Sequence, residues 1–266
     1  MARLPRLIIP LQAHYVLLTG NDGVPLFKER ADFERMFNFI YEQSVREDVL
    51  VHAYTLLSSQ LHLMVTPKAS DSLSKMMQGL GRSYVRYFNH RYDREGGLWG
   101  GRYKSSVVQP GEWLKKCLIY MDYLPQGFGA KSVASALQDD SKAPANIQAN
   151  TQSNTQVDPQ GNVLANAPGN FEWSSHLHYT GRRNDVFITA HADVWNLGNT
   201  PFAREERYEL LVQGGISVED CQHIERAIRG GWVLGDDTFI EHMQSLAHRR
   251  VAKAKAGRPR LHQAVA

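Results

Sequence analysis

Cysteine is scarce in this chain. Cys117 and Cys221 are the only two, they lie far apart, and neither has a Cys-x-x-Cys partner. That argues against a disulfide framework or a thiolate zinc site and makes a reducing cytoplasm the default location. Long apolar runs are missing as well. No uninterrupted stretch approaches the ~20 residues of a membrane helix, so no membrane role is expected. The opening, Met1 to Leu18, mixes Arg3 and Arg6 with hydrophobic residues. Pro10, Gln12 and His14 interrupt it, so it reads as a strand entry rather than a signal peptide. Charge of one sign is lacking too: 30 basic residues face 27 acidic ones, a formal net charge of +3. Taken as an average this speaks against a nucleic-acid partner, but an average hides patches. What is present is a chain of 266 residues, 42% hydrophobic. That suffices for a buried core, in one domain with an extension or in two small ones, and argues against wholesale disorder.

Composition divides the chain into four parts. Residues 1–130 are dense in aromatics and periodic hydrophobics. Residues 131–170 change abruptly: Asn146, Gln148, Asn150, Gln152, Asn154 and Gln156 alternate with small residues, with Pro144, Pro159 and Pro168 nearby. Nothing there suggests a packed face, so the stretch reads as a disordered insertion. Hydrophobic periodicity returns over 171–248, which reads as mostly helical, and 249–266 is a basic tail.

Within 1–130 the elements alternate. His14 to Thr19 reads as a strand closed by the turn-forming Gly20-Asn21-Asp22-Gly23. Phe33, Met36, Phe37, Ile40 and Tyr41 recur at helical spacing across 30–47. Val49 to Leu57 and Leu61 to Thr66 form a hairpin about Ser58-Ser59. Ser72 is a candidate cap for a helix reaching Tyr92. Arg102 to Val108 is a further strand, and Pro110-Gly111 opens a helix that runs through Tyr123 to Pro125. The order β-α-β-β-α-β-α predicts an α+β, ferredoxin-like split βαβ plan with an antiparallel sheet. That plan hosts many functions and decides none of them.

Three features have chemical potential. In the second hairpin strand, alternation puts Gln60, His62 and Met64 on one face and Leu61, Leu63 and Val65 on the other. Gln60 and His62 are half of a metal or phosphate site; two tolerated polar residues on a half-exposed strand are the commoner meaning of such spacing. The segment from Arg82 to Lys104 carries Arg82, Arg86, Arg91, Arg94, Arg102 and Lys104 against Asp93 and Glu95, interleaved with Tyr84, Tyr87, Phe88, Tyr92, Trp99 and Tyr103. Basic side chains neutralise phosphates and aromatic faces stack on unpaired bases. At helical spacing Tyr84, Tyr87 and Phe88 read as core. The tail, from Arg249 onward, has no acid, and Gly257-Arg258-Pro259 followed by Arg260 has the core of an AT-hook, in which arginine enters a narrow minor groove.

In combination these pieces resemble the REP-associated tyrosine transposases, single-tyrosine members of the HUH (His-hydrophobic-His) endonucleases. The resemblance rests on Ala2-Arg3-Leu4-Pro5-Arg6 with His14 to Asn21, and on Val51-His52-Ala53-Tyr54 leading into Gln60 to Val65. It continues in Gly81 to Asn89, Leu98 to Ser106, Trp173-Ser174-Ser175, Leu234-Gly235-Asp236 with Phe239, and Gly257 to Arg260. It spans nearly the whole chain outside 131–170. The resemblance implies single-stranded DNA cleavage and joining, in which a helix tyrosine attacks the scissile phosphate. A divalent cation, held by two histidines and a polar residue one turn past the tyrosine, polarises that phosphate. Tyr120 then corresponds to the nucleophile and His62 to the second histidine, with both expected near each other on the solvent-facing side of the sheet.

The departures are specific. Gln60 stands for the first histidine, and Leu124, which cannot bind a cation, stands for the polar residue after the tyrosine. Thr19 and Gly23 replace residues that are commonly basic. Gln60 retains a carbonyl oxygen for a hard cation, so the metal ligands left are His62 and a degenerate Gln60. The expectation is a transposase-family DNA-binding protein with impaired or lost catalysis. Its partner would be single-stranded or hairpin DNA, contacted through Arg82, Arg86, Arg91, Arg102, Lys104, Arg258 and Arg260. The alternative is an active single-strand transposase using Tyr120 with Mg²⁺ or Mn²⁺ on Gln60 and His62; in the first reading no cofactor is needed. A protein with this fold and an unrelated partner ranks last. Oligomeric state is not legible from the residues.

Overall fold

A computed structural model describes residues 5–21, 24–126, 155–157, 162–165, 169 and 171–253. The AT-hook-like Gly257 to Arg260 and all of 131–154 lie outside the described residues.

The first half follows the sequence pattern closely. Strand β1 (Ala13–Thr19) leads to helix α1 (Arg30–Arg46), then to the hairpin β2 (Val49–Leu57) and β3 (Gln60–Pro67). Helix α2 (Ser72–Arg91), strand β4 (Lys104–Val108) and helix α3 (Glu112–Tyr123) complete it. The four strands are antiparallel in the order β2-β3-β1-β4, the split βαβ, ferredoxin-like arrangement. Helix α2 begins at Ser72, but the capping position is Asp71, whose carboxylate turns to Lys75 at 2.6 Å. A bulge interrupts the β2–β3 ladder at His52, whose ring nitrogens reach Thr66 Oγ1 and the Thr189 carbonyl.

Helices α1 and α2 cover one face of the sheet. Their apolar stripes meet Val16, Leu18, Leu61, Leu63 and Val65 in one core cluster. Tyr84 and Phe88 are fully buried in it, so the core reading of these aromatics holds. The buried Asp32 carboxylate joins the two helices, accepting hydrogen bonds from the Lys28 amide and from the Tyr87 and Tyr92 hydroxyls.

An antiparallel sheet can leave its second face to water. Here it does not. Tyr15, Leu17 and Met64 on that face pack against α3 and a helical C-terminal region. This region consists of α4 (His176–Tyr179), α5 (Ala192–Trp195), α6 (Pro201–Gln213), α7 (Val218–Gly230) and α8 (Asp237–Leu246). It also covers both sheet edges: Ser174 bridges Thr55 and Ile188 bridges Val51 on β2, while Leu234 bridges Val108 on β4. Bridging of this kind removes the exposed ladder that makes an edge strand a liability. Buried Asp122 on α3 ties the region down, accepting from Tyr208 at 2.8 Å and lying 2.9 Å from His176 Nδ1.

Part of the 131–170 stretch differs from the disordered-insertion reading. β5 (Thr155–Val157) and β6 (Asn162–Ala165) pair antiparallel, and β6 continues onto β7 (Ile216–Ser217). A backbone ladder needs no apolar face of its own, so polar composition did not exclude it. Among the described residues no helix is long and apolar enough to cross a membrane.

Candidate functional site

Pairing of β3 with β1 fixes where His62 stands. His62 lies opposite Leu17 and Gln60 opposite Thr19, which places both on the face that receives α3 and α7. His62 is 3% exposed. Its Nδ1 is 2.8 Å from the Tyr15 hydroxyl and its Nε2 is 2.9 Å from Gln60 Oε1. An amide oxygen only accepts, so Nε2 carries the ring proton and donates to Gln60, and Tyr15 donates to the Nδ1 lone pair. Burial pushes the His62 pKa down to about 3, assisted by the Arg229 charge. The ring is neutral at physiological pH and both of its nitrogens are occupied.

Tyr120 projects from α3 into the same layer. Tyr15 touches both partners: its ring centroid is 5.8 Å from that of His62 and 6.3 Å from that of Tyr120. The expected neighbourhood of His62 and Tyr120 is therefore present, through Tyr15. The expected solvent access is not. Tyr120 is 3% exposed, beneath Cys221, Ile224 and Ile228 of α7. Its hydroxyl donates to Glu225 Oε1 at 3.0 Å, and Glu225 Oε2 lies 3.5 Å from Arg229 Nε. Burial first, and the Glu225 charge second, raise the Tyr120 pKa. A phenol is a weak nucleophile unless ionised, so this setting suppresses the reactive form.

A divalent cation does not fit the residues as arranged. The His62 lone pair is taken by Tyr15, the Gln60 oxygen is taken by His62, and Leu124 is a buried core residue in the turn after α3. Among the described residues no group of three His, Cys, Asp or Glu side chains could hold a metal.

The basic residues gather in part. Arg82, Arg86 and Arg102 line a groove of about 750 Å³ together with Arg6, Trp99 and Tyr103. The Arg6 guanidinium stacks on Tyr103 at 3.8 Å. Lys104 lines a smaller cleft alongside Arg102. Arg91 stands apart, paired with Glu29 at 3.0 Å. Arg258 and Arg260 lie outside the described residues. Sequence reasoning missed Tyr15, Glu225 and Arg229. The i,i+4 spacing of Glu225 and Arg229 signals an ion pair on a helix, but nothing local links it to Tyr120, more than a hundred positions earlier.

Residues 9–117 match the family model described as "Transposase IS200 like". The match includes Gln60 and His62 and ends at Cys117, before Tyr120. No curated protein matches the sequence. One solved structure similar to this chain is a REP-associated tyrosine transposase bound to a REP hairpin, at 13% identity and TM-score 0.40, covering 57% of this chain and 96% of that one. A second is a Deinococcus radiodurans R1 protein named as a transposase, at 15% identity and TM-score 0.31, covering 54% of this chain and 100% of that one. Residues 9–117, less than half of the 266-residue chain, are thus similar to the IS200-like transposases.

Proposed function

We propose that this chain is a transposase-descended DNA-binding protein whose strand-transfer site is silent in this arrangement. One observation carries the reading: the Tyr120 hydroxyl is buried under α7 and donates to Glu225 instead of facing a substrate. The closed hydrogen bonding of His62 points the same way, because it leaves no lone pair for a Lewis acid. The partner is single-stranded or hairpin DNA, met by the groove that collects Arg82, Arg86 and Arg102 beside Trp99. Such a surface neutralises phosphates and offers a ring for stacking. The REP transposase similar to this chain was solved with a REP hairpin, which makes a hairpin the substrate to try first.

The second reading keeps catalysis, with Tyr120 exposed once α7 lifts. The proximity of Tyr120 and His62 through Tyr15 favours it. A labelled single-stranded hairpin incubated with Mg²⁺ or Mn²⁺ separates the two. No covalent adduct is expected; an adduct that disappears in Tyr120→Phe establishes the second reading. Hairpin binding that does not weaken with salt removes DNA as the partner.

A further inference from the structure

A pocket of about 620 Å³ opens in the C-terminal region, between the turn after α4, the segment 188–195 and the start of α6. That volume suits a small organic molecule. The pocket stands apart from the arginine groove. Ile188 in its lining bridges Val51 on the outer strand β2, whereas the groove is lined from β1, α2 and the loop before β4. Its charges are also matched, which does not favour a phosphate. Arg183 is held by Asp185 at 2.6 Å and Arg182 by Glu209 at 3.1 Å. Arg204 is offset by Glu205, which lines the same pocket.

What remains is an apolar floor with a few unspent polar groups. Tyr179 and Val194, both buried, form the floor with Ile188. The Arg204 guanidinium lies 4.2 Å over the Trp195 ring, so two stacked planes belong to the lining. His178 is kept neutral by burial, and its Nδ1 accepts from the Asp185 amide at 3.1 Å. Its ring proton therefore sits on Nε2. Among the described residues that N–H, the Asn184 amide and the Glu205 carboxylate have no hydrogen-bond partner. The Glu205 carboxylate rests against Gly181, where a Cβ would come within 2.6 Å of it. Its charge acts on His178, so the open donor and the open acceptor share one neighbourhood. A neutral donor beside an anionic acceptor matches the edge of a planar lactam, whose C=O accepts while its N–H groups donate. Guanine has that edge. Adenine does not, since its ring nitrogen would turn a lone pair towards the carboxylate.

We propose that this pocket binds a free guanine nucleoside or nucleotide, with the N–H edge of the base on Glu205, its carbonyl on the His178 Nε2–H and its ring against the Arg204–Trp195 pair. Arginine and aromatic planes are ordinary stacking partners for a base. The site lies outside residues 9–117. It goes beyond the DNA-binding reading and does not rest on it. Tyr179 connects it to the core: its ring is 4.9 Å from that of Tyr208, whose hydroxyl donates to Asp122 on α3.

Calorimetric titration of the full chain with guanosine tests this, with inosine and adenosine for comparison. Guanosine should bind, inosine, which keeps the lactam but lacks the amino group, should bind more weakly, and adenosine weakest of all. Glu205→Gln should weaken guanosine by about tenfold or more, the cost of losing hydrogen bonds to a charged group. Trp195→Ala, at an exposed position, should weaken it too and carries the test if Glu205→Gln fails to fold. Phe202→Ser, exposed on α6 and outside the lining, should leave it unchanged. No binding of guanosine to the native chain, equal affinity for guanosine and adenosine, or undiminished binding in both Glu205→Gln and Trp195→Ala overturns the assignment. Tighter binding of an amino acid such as leucine overturns it as well. Hairpin affinity should be the same in Glu205→Gln as in the native chain. A drop there, with guanosine displacing the hairpin, makes an unpaired guanine of the strand the occupant and overturns the free-ligand assignment. A native chain that binds guanosine but no hairpin sinks the DNA reading and leaves this site standing.

Discussion

Tyr120 on α3 donates its hydroxyl proton to Glu225 on α7 at 3.0 Å. That bond joins the residue with nucleophilic potential to a helix that arrives from the other end of the chain. It also makes Glu225 the natural point of attack for experiment. Glu225→Ala leaves a buried phenol without an acceptor and Arg229 without its carboxylate. A loss of about 1–3 kcal/mol in urea unfolding is expected, with Glu225→Gln, which keeps an acceptor, losing less. Equal losses in the two variants would mean that the hydrogen bond contributes little.

Stability should fall on the acid side, and His62 supplies part of the reason. Its pKa is about 3 in the fold against 6.5 unfolded. Above pH 6.5 neither state binds the proton and the contribution of the neutral ring is complete. As the pH drops from 6.5 towards 3, only the unfolded chain takes up the proton, so stability is lost at up to about 1.4 kcal/mol per pH unit. His14 and His52, each lowered to about 4 mainly by burial, add losses of the same sign. His62→Gln should flatten the decline between pH 6 and pH 4 in denaturant titrations. An unchanged decline would place the titrating groups elsewhere.

Metal ions should be without effect on the native chain. Melting temperatures in EDTA and in Mn²⁺ are expected to coincide, since both His62 nitrogens and the Gln60 oxygen are already engaged. Gln60→His combined with Leu124→Asn should introduce a Mn²⁺-dependent upward shift if donor identity is all that is missing. A shift in the unaltered chain would show that the Tyr15–His62–Gln60 chain opens readily to a cation.

Asp122 should be among the costlier residues to remove. Its buried carboxylate holds His176 and Tyr208, and so fastens the C-terminal helices over α3. Asp122→Ala is expected to destabilise the chain by about 3–5 kcal/mol, the range for stripping one partner from a buried charged group. Limited proteolysis should then cut within 171–253 before the sheet domain. Simultaneous loss of both parts would make the two a single cooperative unit.

Much of the fold was legible because its signals are local. The alternation from Gln60 to Val65 assigned faces that the two cores respect, and the helical spacing of Phe33 to Tyr41 marks α1. Strand order followed from element order, since a split βαβ unit has few ways to pair. Ser72 shows the limit of such reading: it begins the helix, but the preceding residue takes the cap position. The short strands at 155–157 and 162–165 were hidden because backbone pairing leaves little trace in polar composition.

The sequence by itself determined the sheet and the similarity of residues 9–117 to IS200-like transposases, and it put Gln60 and Leu124 where that resemblance implies a histidine and a polar ligand. It also placed arginines densely enough to offset the meaning of a net charge of +3. Only the tertiary structure decided that the sheet face carrying His62, with Tyr120 packed against it, is closed. Ile224, Ala227 and Ile228 of α7 bury themselves against α3 and the sheet, and in doing so bring Glu225 to Tyr120 and Arg229 to the cleft lined by Lys104. Periodicity along a chain shows that a helix has an apolar face. Which surface that face covers is fixed by packing between residues a hundred positions apart, and no local pattern encodes it.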